Sequence, residues 1–289
     1  LRARSLRIFP RFGEGEQSLS DPDAFASPIK IERYYPNAIQ LVFAPLEEIS
    51  AQLTYWIPQS HAATGQITLT NMGESERQIQ LEWVALLAPG ATGERMAIRE
   101  IEAVQVLSGT TQALCPVFFI TGGMHPGNGS FPSLKLDLEL APGDQRSFTW
   151  AIAALDDHRA SFDLARQITT QHWAAEMARL ELLETGLIDI RTGEESWDLA
   201  LAHSQRIALS LISSPTTDLP QESFLITRQP DQGYSIKGDG SDYNHLWNGQ
   251  PALESYYLAE MLLPSSPQLL SGIIENFIAV QSENGSIDW

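Results

Sequence analysis

"LKLDLELAPGDQRSFTWAIAAL", residues 134–155, decides how this 289-residue chain is read. Leu134, Leu136, Leu138 and Leu140 alternate with Lys135, Asp137 and Glu139. Side chains on a strand point alternately to its two faces, so this spacing predicts an antiparallel strand with one buried face. The turn "APGDQ" follows, and Phe148, Trp150 and Ile152 then alternate in the same way. The pair reads as a β-hairpin.

The same design stands upstream in "GQITLTNMGESERQIQLEWVALL", residues 65–87. Ile67 and Leu69 alternate, "NMGES" turns, and Ile79, Leu81, Trp83 and Ala85 share a face. Residues from about 5 to 154 thus predict many antiparallel strands and no helix. A sheet with one apolar face must bury it against a second layer, and a β-sandwich follows.

Past Asp157 the period changes. Phe162, Ala165, Thr169, Trp173, Met177 and Leu180 form one stripe at helical spacing, which predicts a single long helix with Gly186 as its stop. "GLIDIRTG" is a short strand-like piece. A second helix begins near Glu195, with Trp197, Leu201, Ser204, Ala208 and Leu211 on one side. Pro251 opens a third. Ser266 and Pro267 open a fourth, whose buried stripe is Leu270, Ile273, Phe277 and Val280. The expected fold class is an all-β sandwich followed by an all-α region. The expected domains are a sandwich over 1–154, a linker helix and connection over 155–192, and the start of a helical domain over 193–289.

Composition excludes several functions. With 18 basic and 36 acidic residues the formal charge is −18, which opposes long-range attraction to nucleic acid or anionic lipid. No apolar run is long enough to span a membrane. The one basic cluster, Arg2, Arg4, Arg7 and Arg11 in "LRARSLRIFPR", reads as a solvated strand face, with an anion site as the alternative. The single cysteine, Cys115, excludes an internal disulfide and reads as a small core residue rather than a nucleophile. A cytoplasmic, reducing compartment is the expectation.

Known chemical signatures fail one by one. Tyr243 stands where a dinucleotide-binding loop needs its third glycine. Asp239, Asp242 and Asn244 have the wrong spacing for a calcium loop. The six histidines lack zinc spacing, and no GxSxG elbow occurs. No metal and no cofactor is expected. What remains is "GYSIKGDGSDYNHLWNGQPALESYYLAEMLLP", residues 233–264. Tyr243 and Trp247 offer flat faces, and Asp239, Asp242, Asn248 and Gln250 offer hydrogen bonds to hydroxyls. That mixture suits a saccharide. A core Trp247 with aspartates capping turns is the alternative from residue types alone.

The segments "GEESWDLALAHSQRIALSLI", "LPQESFLITRQPDQGYSIKGDG", "LWNGQPALESYYLAEMLL" and "NGSIDW" resemble the opening hairpins of the six-hairpin, (α/α)6-toroid glycosidases, the glucoamylase-like and glycogen-debranching-like enzymes. "HWAAEMARLELLETGLIDIRTG" resembles the linker that precedes the toroid in bacterial members, behind a β-supersandwich. The resemblance covers residues 155–289 by motif and residues 1–154 by architecture only.

It implies a truncated toroid whose pocket is lined by helix-joining loops, with Arg228, Asp239, Asp242, Tyr243, His245, Trp247, Asp288 and Trp289 facing an oligosaccharide. It implies hydrolysis of an α-linked gluco-oligosaccharide or similar glycan by an inverting acid/base pair, whose carboxyls stand roughly 6.5–9.5 Å apart. In such relatives that pair comes from later helices, so the catalytic residues are expected beyond Trp289 and the fragment is expected to be inactive. A disaccharide phosphorylase shares the architecture. A non-catalytic carbohydrate-binding module is the third reading, against which the apolar stripe Leu270, Ile273 and Phe277 is expected to stand uncovered.

Overall fold

The computed structural model describes residues 6–287 except 16, 36, 90–92, 185–186, 214, 217–218, 225, 228–247 and 251. The chain forms two compact units, Leu1–Glu176 and Met177–Trp289.

The first unit is built from strands β1 (Leu6–Glu14), β2 (Gln17–Leu19), β3 (Ser27–Tyr35), β4 (Ala38–Leu46), β5 (Ile49–Gln59), β6 (Ala62–Asn71), β7 (Arg77–Leu87), β8 (Glu94–Ile101), β9 (Val104–Thr110), β10 (Cys115–Ile120), β11 (His125–Pro126), β12 (Ser133–Leu140) and β13 (Gln145–Leu155). They make a five-stranded sheet, β11-β12-β7-β1-β2, and an eight-stranded sheet, β3-β4-β5-β6-β13-β10-β9-β8. Both are antiparallel throughout. The apolar faces predicted from alternation meet in one core. Ile79, Leu81, Trp83 and Ala85 of β7 lie against Ile67 and Leu69 of β6 and Phe148, Trp150 and Ile152 of β13. Trp83 and Trp150 come from opposite sheets, with ring centroids 5.1 Å apart. Trp150 needs Gly65 beside it, because a Cβ there would fall 2.4 Å from its ring.

The two predicted hairpins are not hairpins. β6 and β13 belong to the eight-stranded sheet, β7 and β12 to the other. Each turn therefore carries the chain from one sheet to the facing one. Strands joined this way oppose each other through side chains instead of backbone bonds. The two arches lie side by side, since β6 pairs with β13 and β7 with β12. Asn71, fully buried, ties them together. Its side chain donates to Ser75 O (2.7 Å) and Leu140 O (2.9 Å) and accepts from Gly73 N (3.0 Å). Its own amide donates to Asp144 O at 3.0 Å, and Gly143, at φ +77, donates back to Asn71 O. Alternation assigns faces; it does not assign partners, and the choice between hairpin and arch is a choice of partner.

Helix α1 (His158–Thr169) covers the outer face of the eight-stranded sheet. Its Ala165 and Ile168 pack on Ala62, Ala151 and Ala153, and its Phe162 on Val106 and Val117. The small residues of "AIAA" admit the helix closely. Asp157 caps its start, accepting from Arg159 N and Ala160 N. Glu102, in the β8–β9 turn, holds Arg159 (2.6 Å) and Arg166 (2.8 Å).

The single long helix of the sequence reading is two. α1 ends at Thr169 and, after three intervening residues, α2 (Trp173–Glu184) begins. Thr169 and Thr170 turn their hydroxyls back onto the carbonyls of Arg166 and Gln167. His172 Nδ1 then accepts from Ala175 N, capping the next helix. Side-chain bonds of this kind compete with the helical ladder.

The second unit contains α3 (Glu195–Ser210), α4 (Ala252–Leu262) and α5 (Pro267–Ala279). Ala208, Phe224, Leu262, Leu269, Leu270 and Ile273 form its core. The strand-like piece ahead of α3 is not a strand. Ile188 is held instead by the Gln205 side chain, which accepts from its N–H and donates to its carbonyl. Ser266 occupies the cap position of α5, though its side chain makes no capping bond. Leu270 and Ile273 are buried and Phe277 is partly buried, so the uncovered surface is not the one expected. It is the opposite side of α5, Ile274 and Ile278, together with Leu253, Tyr256, Tyr257 and Met261 of α4. On α3, Trp197 and Leu201 are exposed, as is Leu211 just past its end, and among the helix residues whose burial is described only Ala208 is buried. No helix among the described residues is long and apolar enough to cross a membrane.

Candidate functional site

The residues expected to face a sugar lie in two segments. Arg228, Asp239, Asp242, Tyr243, His245 and Trp247 fall within 228–247, and Asp288 and Trp289 follow Ile287; all eight lie outside the described residues. The structure describes the frame that carries them.

The roots of the first segment are neighbours. Ile226–Thr227 pairs antiparallel with Asn248–Gly249, Thr227 opposite Asn248. Behind this pair sits a buried polar network. Ser223 Oγ donates to Gln250 Oε1, and Gln250 Nε2 donates to Ile273 O of α5 at 2.9 Å. Asn276, fully buried on α5, donates to Gln250 Oε1 and to Gln221 O, both at 3.1 Å, and accepts from Gln221 N at 2.9 Å. The chain before the segment, the chain after it and α5 are thus joined through groups that are costly to leave unpaired. This corrects the sequence reading of Gln250. It is buried, its amide oxygen accepts from Ser223 and Asn276 and its amide nitrogen donates to Ile273 O, so it serves the interior rather than a sugar hydroxyl. Its burial was not signalled by its neighbours in the sequence, and neither were those of Ser223 and Asn276.

The second segment leaves the same helix. From Ile273 to Val280 the axis advances about 10 Å at helical rise, and the chain then folds back in a small hairpin. Gln281 bridges Ile287, Ser282 N donates to Ser286 O at 2.8 Å, and Gly285 takes φ +84 at the turn. Asn284 is engaged in that turn, accepting from Ser286 N and Oγ.

Further chemistry-bearing groups among the described residues lie in the sandwich. Arg11 pairs with the buried Glu82 at 3.0 Å, and Ser133 Oγ donates to the same carboxylate at 2.5 Å. Arg77 grips Glu14 through two bonds of 2.7 and 2.6 Å, and that hydrogen bonding holds the Glu14 carboxyl below its usual value. Cys115 is part-buried, and burial raises its thiol pKa, so it carries little of the thiolate a nucleophile needs. Arg2 and Arg4 lie outside the described residues.

No protein-family model matches this sequence, and no curated protein does either. Solved structures do. The chain is similar in fold to two enzymes that are named for their action on carbohydrates. A bacterial glucoamylase complexed with acarbose matches 97% of this chain and 45% of its own, at 10% identity and TM-score 0.55. A candidate kojibiose phosphorylase from the human microbiome matches 72% of this chain and 32% of its own, at 13% identity and TM-score 0.50. The chain therefore spans less than half the length of either neighbour, and at these identities the likeness is one of fold.

Proposed function

We propose that this chain forms the sandwich and first toroid helices of a glycoside hydrolase acting on α-linked gluco-oligosaccharides or a similar glycan. Arg228, Asp239, Asp242, Tyr243, His245, Trp247, Asp288 and Trp289 contribute one wall of the sugar cavity. The observation that carries the reading is the match to the glucoamylase, which runs through sandwich and helices together over 97% of this chain. The frame supports it: one helix, α5, anchors the roots of both segments. The apolar residues exposed on α3, α4 and α5 support a helical domain that continues. The general acid and base of an inverting mechanism then stand on other helices, on either side of the scissile bond.

Two preparations test this. The 289-residue chain should leave aryl glucosides and maltooligosaccharides intact, and the chain expressed with whatever its reading frame encodes after Trp289 should hydrolyse them. Turnover by the short form, or none by either, counts against the proposal. The second neighbour supports a variant of the reading, in which phosphate replaces activated water. Release of sugar 1-phosphate that depends on added phosphate would move the assignment to a disaccharide phosphorylase.

A further inference from the structure

The amino-terminal basic cluster divides in the structure. Arg11 is committed to Glu82. Arg7, on the same outer face of β1 and opposite Leu86, lines a cavity of about 590 Å³. Arg95 of β8, Leu86, Met96, Phe131 and Pro132 line it too. No aspartate or glutamate is among its described lining residues, in a chain with twice as many acids as bases.

Several arginines of the first unit have carboxylate partners. Arg11, Arg77, Arg99, Arg159 and Arg166 are paired, and Glu94, next in sequence to Arg95, is turned to Arg99. The side chains of Arg7 and Arg95 make no hydrogen bond or ion pair with the described residues. Phe131, 53% exposed, presents its ring at the same place.

We propose that this cavity binds a sugar bearing an anionic group, phosphate or carboxylate. Two guanidinium groups fit charged oxygens better than neutral hydroxyls, since each presents a fork of donors. A ring face and an apolar floor of Leu86 and Met96 suit a compact cyclic body, and the volume is that of a small-molecule site. The choice of a sugar rests on the carbohydrate reading above; the anionic group rests on the cavity alone.

The test is a calorimetric and NMR titration of the 289-residue chain with glucose 6-phosphate, glucuronate, glucose and inorganic phosphate. At least one anionic sugar should bind, more tightly than glucose and inorganic phosphate, and which of the two does identifies the group. Arg7→Ala and Arg95→Ala should each weaken that binding roughly tenfold, and added salt should weaken it further. Phe131→Ala should weaken the sugar and leave phosphate unchanged. All three side chains are exposed, so circular dichroism should find the variants folded. The proposal fails if the double arginine variant binds as the parent does, if glucose binds equally well, or if inorganic phosphate matches the sugar. It also fails if Trp247→Ala abolishes the binding, which would assign the ligand to the 228–247 segment. If anionic sugars bind and maltooligosaccharides do not, the cavity assignment stands and the glycosidase reading is what falls.

Discussion

Trp83 and Trp197 are indoles in similar apolar company, and the two units treat them oppositely. Trp83 is fully buried between sheets, against Trp150 and Phe118; Trp197 is 67% exposed on α3. The sandwich closes its own core and backs it with α1. The helical unit covers its helices on one side, at Ala208, Leu262, Leu270 and Ile273, and leaves Trp197, Leu253, Tyr257, Met261, Ile274 and Ile278 in water. The difference separates a unit that encloses its apolar faces from one that, among the described residues, leaves much apolar surface in water, the kind of surface that marks an interaction site.

The comparison can be broken most directly by truncating its two tryptophans. Trp83→Ala should cost about 3–5 kcal/mol in urea unfolding, and Trp197→Ala no more than about 0.5 kcal/mol. Equal losses would mean that the α3 face is covered. Next in size is the joint between the arches. Asn71→Ala strands the carbonyls of Ser75 and Leu140 and should cost about 2–3 kcal/mol. The corresponding joint of the helical unit has longer donor bonds, 3.1 Å each. Asn276→Ala should cost about 1–2 kcal/mol, with hydrogen exchange quickening at Gln221 and not in β6 or β13.

The smallest effect is electrostatic and confined to the sandwich. Arg77 holds the Glu14 carboxyl below the ordinary 4.5, so the pair stabilises the fold above that pH. The contribution disappears as acid protonates the folded carboxylate. Glu14→Gln should therefore be less stable than the parent at pH 7, with the gap closing below 4.5. A gap that persisted in acid would mean that charge plays no part in the contact.

The sequence was a good guide to faces and a poor one to partners. Leu134, Leu138 and Leu140, like Ile79, Leu81 and Trp83, are buried where period two puts them. The same pattern could not distinguish a hairpin from an arch, because both turn one apolar face inward. The arches are defined by the pairing of β6 with β13 and of β7 with β12, tied together by Asn71, a residue that in sequence is only part of a turn. The helical stripe from Phe162 to Leu180 was right at Phe162, Ala165, Thr169 and Leu180, which are buried, half right at Trp173 and Met177, which are half-buried, and blind to the break that two threonine hydroxyls and a histidine mark. For the candidate site, residue types pointed to flat and hydroxyl-binding side chains. The frame was not legible, since Ser223, Gln250 and Asn276 act through contacts that only the fold brings together. Gln250 was misread for that reason.

The most direct test of the central claim is a titration of the 289-residue chain with a maltooligosaccharide, followed through the indole N–H signals of its tryptophans. If residues 228–247 and 288–289 form one wall of a sugar cavity, the Trp247 and Trp289 signals should shift together, and Asp242→Ala should abolish both shifts. Shifts absent from both indoles, or found only among tryptophans of the sandwich, would contradict it.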